Sequence, residues 1–236
     1  MILKLNVNPS FGIFLKIGLN LLTQTLYNSI KELININQYP FRKFKVKKIE
    51  SEKQYLTPFE IDKIENCILK NELEKYQLAK DLFLFSVYTG LRYSDVMSLE
   101  ISNIVYINGE NWIIKNAVKN LNSSEIPVKI PIETLFNGKA KAIINKYYKL
   151  GSSVIFPYTT NQHLNRCLKK IALESNINKF ITFHSARHTT ATYLLYKGAN
   201  ITTVQKILGH SKITTTQIYG HIMDNTILND LKAINF

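Results

Sequence analysis

The chain has 236 residues, enough for one ordinary domain and part of another around a sizeable core. Thirty Lys and Arg against seventeen Asp and Glu leave a formal charge of +13, which favours a polyanionic partner, nucleic acid first among them. The two cysteines, Cys67 and Cys167, are far apart and in no ligand-like spacing, so neither a disulfide framework nor a zinc site is indicated and the default compartment is a reduced cytoplasm.

In chain order, the apolar run F-G-I-F-L-K-I-G-L-N-L-L carries Lys16 and Asn20, is too short to span a bilayer and lacks a small-residue cleavage site, so neither export nor membrane insertion is expected. Leu22, Leu26, Ile30 and Ile34 then fall at helical steps, and Pro40 ends that helix by pushing Tyr39 out of the α region. F-R-K-F-K-V-K-K alternates bulky and basic residues, an extended basic segment leading to a linker near Glu50.

Thr57, Pro58 and Glu60 form a capping box with proline at the first helical position, and Ile61, Ile64, Cys67 and Ile68 give that helix its buried stripe. A second helix, Y-Q-L-A-K-D-L-F-L-F-S-V-Y, is apolar on most sides and therefore central; Thr89-Gly90 stops it, and Ser94 is expected to cap a short helix through Leu99. After Ile101 the period changes to two. Asn108-Gly109 between β-rich runs predicts a hairpin, and E-I-P-V-K-I supplies a third strand. Helices resume over about 133–150 and again over 160–174. The fold class is therefore α+β, mainly helical, with a small three-stranded antiparallel sheet.

From Ile181 to His221 the chain reads I-T-F-H-S-A-R-H-T-T-A-T-Y-L-L-Y-K-G, A-N-I-T-T-V-Q-K-I-L-G-H and S-K-I-T-T-T-Q-I-Y-G-H. As a helix, the first part places His184, Arg187, His188, Ala191, Leu194 and Leu195 on one stripe. A guanidinium there is costly unless an anion or ligand meets it. Arg92, just past a helix C-terminus, and Arg187 could each fork onto phosphate oxygens, with His184 and His210 donating further hydrogen bonds. Tyr219, on a short segment capped by Ser211, has an ordinary pKa of about 10, so cationic neighbours would be needed to favour its phenolate. Lys119, at the tip of the sheet, is an ammonium able to reach a leaving group; Lys115 on the preceding strand competes with it. Each residue also has a plainer role: Arg92 could pair with Asp95, and Tyr219 is one of thirteen tyrosines.

In their order and separations, T-G-L-R-Y-S-D, H-S-A-R-H-T-T-A-T, L-G-H-S and T-T-Q-I-Y-G-H resemble the tyrosine recombinases, the phage-integrase-like enzymes that cut and rejoin DNA at specific sites. The resemblance runs from about Tyr55 to the C-terminus, and P-F-R-K-F-K-V-K-K with Y-L-T-P-F-E is similar to integrases of mobile elements in Bacteroides-like bacteria. It implies that Arg92, His184, Arg187 and His210 hold the scissile phosphate and that Tyr219 attacks it. A 3′-phosphotyrosine bond results, and Lys119 protonates the departing 5′ oxygen. Because the bond energy is conserved and arginines supply the positive charge, neither ATP nor a metal is implied, and no cofactor is expected.

The resemblance also implies a catalytic domain over 51–236, preceded over 1–50 by the remnant of a helical DNA-binding (core-binding) domain and linker, so that the N-terminal part looks truncated. Double-stranded DNA is the implied partner, bound by a homotetramer that is a monomer or weak oligomer when free, in the cytoplasm and without membrane contact. A C-terminal segment with Ile227, Leu228, Leu231 and Ile234 on one face could dock in its own subunit or a neighbour's. Two other readings share these motifs: a catalytically idle DNA-binding regulator derived from an integrase, and a type IB topoisomerase-like enzyme.

Overall fold

A computed structural model describes residues 54–68, 73–116 and 127–220. The expected helix between Leu21 and Ile34, the basic segment before Glu50, Lys119, His221 and the C-terminal apolar face lie outside these residues.

Helix α1 (Pro58–Glu65) begins as expected: Thr57 accepts from the Glu60 amide and Glu60 returns a bond to the Thr57 amide. Asn66 ends it, so Ile61 and Ile64 are buried but Ile68, past the end of the helix, is 79% exposed and leaves the expected stripe. Helix α2 (Leu73–Thr89) is the centre of the core. From Ala79 to Leu91 every residue is buried, and the polar members are satisfied locally, Ser86 Oγ donating to the Leu91 carbonyl and Thr89 Oγ1 to the Phe85 carbonyl.

Gly90 stops α2 with φ +71°. The next short helix, α3 (Tyr93–Met97), is preceded by Arg92 at its N-cap rather than by Ser94. Ser94 sits inside its first turn, because Gly90 and Leu91 reverse the chain quickly enough for the helix to restart two residues earlier.

Strands β1 (Ile104–Ile107), β2 (Glu110–Lys115) and β3 (Val128–Pro131) form one antiparallel sheet in that order. Asn108 and Gly109 both have positive φ, as a two-residue hairpin with right-handed strand twist requires. Ile113 pairs with Ile104 and Ile130, and both Ile113 and Ile130 are fully buried, so this face carries the sheet onto the core.

The helix expected from 133 starts later: α4 spans Lys139–Tyr147, because Phe136, Asn137 and Gly138 all take positive φ. Helix α5 (Asn161–Glu174) lies where a helix over 160–174 is expected, and Thr160 caps it. Helix α6 (Phe183–Tyr196) follows, with Thr182 at its N-cap; then come α7 (Ile201–Leu208) and the short α8 (Thr214–Gln217), whose N-cap is Ile213, not Ser211. Helix α2 packs against α4, α5 and α6, α7 packs on α6 and β3, and α8 packs on α7. Side chains tie the layers together: Thr189 Oγ1 accepts from the Leu56 amide, and Thr190 Oγ1 donates to the Val87 carbonyl.

Candidate active site

Arg187 is 4% exposed on α6. Its Nη1 donates to the Gly90 carbonyl at 2.8 Å, and its Nη2 donates to the Leu208 carbonyl. Those oxygens lie at the C-terminal ends of α2 and α7, where helix dipoles are negative. The burial that the sequence leaves unexplained thus has a local cause, since two charge-assisted bonds hold the guanidinium. Carbonyl dipoles orient a cation without adding formal negative charge, so these two contacts leave its attraction for an anion in place.

The junction is tight. A Cβ on Gly90 would lie 2.7 Å from Leu208 Cδ2, and one on Gly209 would lie 2.6 Å from Val128 Cγ2. Both glycines also have positive φ, +71° and +65°. The ends of α2, α7 and β3 therefore close around Arg187 only if no side chain intervenes.

Tyr219, three residues beyond Thr216 and bonded to its carbonyl through the backbone amide at 3.1 Å, is 4% exposed. Its hydroxyl lies 2.6 Å from His188 Nδ1. His188 follows Arg187 directly and is half-buried; its ring meets that of His184 one turn earlier, edge to face, with centroids 4.5 Å apart. His184 itself is exposed, which separates it from the buried stripe it was expected to join. Burial pushes the Tyr219 hydroxyl up to about 12, the opposing field of Arg187 being the weaker influence. Arg187 thus acts in the expected direction, favouring the phenolate, but desolvation of the charged form outweighs the pull of one cation.

His210 follows Gly209 at the end of α7. Its Nδ1 lies 2.9 Å from Thr216 Oγ1, and Gln205 Nε2 donates to its carbonyl at 2.9 Å. Because Thr216 also holds Tyr219 through the backbone, His210 and Tyr219 share one anchor.

Arg92 is half-buried at the N-cap of α3, where its side chain makes no capping bond, two residues after the carbonyl that holds Arg187. Asp95 is buried and acts electrostatically on Lys115. The Lys115 ammonium donates to the Ser98 carbonyl at 2.6 Å and to Asn103 Oδ1 at 3.2 Å, and burial holds its pKa below the usual lysine range. Lys115 is thus committed to the turn between α3 and β1.

The fold accordingly ties Arg187, His210 and Tyr219 to one junction of helix ends, with His184 joined to it by way of His188 and Arg92 two residues along the backbone from the Gly90 carbonyl. His188 shares the stripe with His184 and Arg187, and its position beside Arg187, one helical turn after His184, is the sequence's sign of a contact with Tyr219 that the motifs alone do not assign. Converging cations, imidazoles and a tyrosine suit an oxyanion such as a phosphodiester. Among the described residues, no group of three or more His, Cys, Asp or Glu could hold a metal ion, and no helix is long and apolar enough to cross a membrane.

A family model described as the phage integrase family matches residues 54–226. Tyrosine recombinase XerD of Rickettsia conorii is 32% identical over 177 residues, covering 69% of this chain and 57% of the relative. XerD of Staphylococcus haemolyticus is 32% identical over 148 residues, covering 59% and 48%. The chain therefore spans about half the length of the curated relatives it matches. Among solved structures, the Tn1549 transposon integrase in complex with circular intermediate DNA superposes with a TM-score of 0.61 at 20% identity, covering 82% of this chain and 70% of that one. The catalytic domain of bacteriophage HP1 integrase gives 0.51 at 20% identity, covering 77% and 95%. At such identities the likeness is one of fold.

Proposed function

The chain belongs to the phage integrase family, and on that premise we propose that it cuts and rejoins DNA at specific sites through a 3′-phosphotyrosine intermediate. The observation that carries this reading is the convergence of Tyr219, Arg187 and His210 on one junction, with the tyrosine hydroxyl held by an imidazole and facing the field of a buried guanidinium.

Arg92, His184, Arg187 and His210 would hold the non-bridging oxygens of the scissile phosphate. Tyr219 Oη attacks phosphorus and the 5′ oxygen leaves, taking a proton from Lys119. Lys115 is bound to the Ser98 carbonyl and Asn103, and this reading therefore gives the leaving-group role to Lys119. A 5′-hydroxyl then attacks the phosphotyrosine and restores the tyrosine. In this reading residues 51–236 are the catalytic domain and residues 1–50 a helical DNA-contacting part with its linker. The working state is a homotetramer on two duplexes in the cytoplasm, and the resemblance to Bacteroides-type sequences points to a mobile element as the source of the target site. The +13 charge supports a DNA partner, and phosphate contacts would make binding steeply salt-dependent.

Nicked suicide duplexes tiled across the DNA that borders the chain's own coding sequence provide the test. The expected result is a covalent protein–DNA band at a defined site that is lost in Tyr219→Phe. Site-independent relaxation of supercoiled plasmid would instead identify a topoisomerase, and binding without any covalent band would identify an idle regulator.

A further inference from the structure

The nucleophile assigned above sits in a poor place for an unaided attack. Its hydroxyl is buried, desolvation disfavours its phenolate, and the one cation credited with opposing this does not prevail. A phenol in that position needs a proton acceptor already in contact. His188 is in contact, its Nδ1 2.6 Å from Tyr219 Oη, a short distance for an O–H···N bond.

From this geometry we infer that His188 is a catalytic residue, the group that fixes the Tyr219 hydroxyl and takes its proton as the phosphodiester is attacked. The inference rests on the reading of Tyr219 as the nucleophile. With the ring proton on Nε2, Nδ1 accepts the Tyr219 O–H bond. In the forward step the proton passes from Oη to Nδ1, the Oη–P bond forms, and the P–O5′ bond breaks. The leaving pair stays on the 5′ oxygen, which is protonated separately. In rejoining, the incoming 5′-oxygen displaces Tyr219, and the imidazolium returns the proton to Oη. Atoms and charge balance without a metal or other co-reactant.

The surroundings suit this exchange. His188 lies on α6, whose adjacent turns contribute Arg187 and His184, while Tyr219 reaches it from the segment after α8. The His184 ring packs edge to face on His188 at 4.5 Å, and Arg187 acts electrostatically on Tyr219. Both groups flank the bond from α6, which is anchored by the next residues, Thr189 and Thr190, buried and hydrogen-bonded to Leu56 and Val87. His184 is exposed and so is the more accessible to DNA, whereas His188 is turned to the tyrosine. The two imidazoles thus divide the work between phosphate and nucleophile.

His188→Asn separates holding from proton transfer. An asparagine carbonyl falls near the position of Nδ1 and can accept the tyrosine bond, but it is not basic. In single-turnover cleavage of a nicked suicide duplex, His188→Asn is expected to bind DNA as the parent does and to cleave about 10²-fold more slowly, the usual size of a general-base contribution. Its rate should climb with pH where the parent rate has levelled. Substituting sulfur for the bridging 5′ oxygen, which removes the need to protonate the leaving group, should leave the His188→Asn defect in place while rescuing Lys119→Ala. A second measurement does not depend on the variant folding: in the parent protein, 15N-histidine spectra should show His188 as the Nε2–H tautomer with a perturbed Nδ1, and Tyr219→Phe should remove the perturbation. Parent-like cleavage and pH profile in His188→Asn, or a spectrum indifferent to Tyr219→Phe, would overturn the inference and leave Tyr219 as the nucleophile. Absence of any covalent product from the parent would overturn both.

Discussion

The guanidinium of Arg187 donates to the carbonyl of Gly90 at 2.8 Å, across a separation of 97 residues. This bond ties the end of the central helix to the helix that carries His184 and His188, and the same side chain reaches on to the end of α7 through Leu208. A substitution at any member of the junction should therefore register in both stability and cleavage.

Gly90→Ala tests the closeness of that junction. A left-handed backbone at a non-glycine residue, together with a Cβ 2.7 Å from buried Leu208, is expected to cost about 1–3 kcal/mol in urea unfolding. Gly209→Ala should cost at least as much, because its Cβ meets β-branched Val128 on a strand rather than the tip of a leucine. A variant as stable as the parent would mean that the helix ends have more room than the geometry allows.

Arg187→Lys keeps the charge and loses the fork. A single ammonium cannot reproduce both planar contacts, so one of two buried carbonyls loses its donor, a loss of about 1–3 kcal/mol. Cleavage in a single-turnover assay should fall by about 10² to 10³, as for removal of one preorganised donor. DNA binding in a gel-shift assay should persist, since it draws on many phosphate contacts.

Lys115 and Lys119 should separate cleanly. Lys115→Ala strips the Ser98 carbonyl and Asn103 of their shared donor and is expected to lower the unfolding midpoint. Lys119→Ala should leave unfolding unchanged and slow cleavage, with recovery on a sulfur-substituted leaving group. If Lys115→Ala gave the rescuable defect, the two assignments would have to be exchanged.

Glu60 provides a pH dependence with a definite sign. Burial pushes its carboxyl up, but the Lys179 ammonium at 2.6 Å and the Thr57 amide at 2.7 Å outweigh that, so its pKa lies below the ordinary value. The native state then holds fewer protons than the unfolded chain. The carboxylate's contribution is complete above the unfolded value of about 4.3 and is lost as pH falls through the depressed native one. Urea midpoints of the parent and Glu60→Gln should differ at pH 7 and converge in the acid range. A constant gap would show that titration of Glu60 is not coupled to folding.

Much of the fold could be read from local chemistry. The Thr57–Glu60 box, the Gly90 stop and the Asn108-Gly109 hairpin each depend on residues within one turn, and all three formed as expected. The misplaced features were decided by packing or by unusual backbone. Ile68 left its stripe because α1 ended early, and Arg92 and Ile213 took the cap positions expected of Ser94 and Ser211. Phe136 and Asn137 adopted positive φ, which delayed α4; the Asn137-Gly138 pair is a turn signal, but nothing in the type of Phe136 announces its conformation.

At the site, the residue types were legible and their partners were not. No periodicity reveals that Arg187 is held by two backbone carbonyls, one of them 97 residues away, because carbonyl positions leave no mark in the sequence. Nor could the direction of the Tyr219 shift be read, since it depends on how deeply the fold buries that ring. His188 shows the same limit: its contact with Tyr219 spans 31 residues and exists only because α8 folds back on α7, which packs on α6.

The most direct test of the central claim is mass spectrometry of the covalent product. Protein trapped on a cleaved suicide duplex, digested with nuclease and trypsin, should yield one modified peptide in which Tyr219 carries a nucleotide through its 3′-phosphate, and Tyr219→Phe should yield none. A nucleotide on any other side chain, or a 5′-phosphate linkage at Tyr219, would contradict the assignment of nucleophile and leaving group.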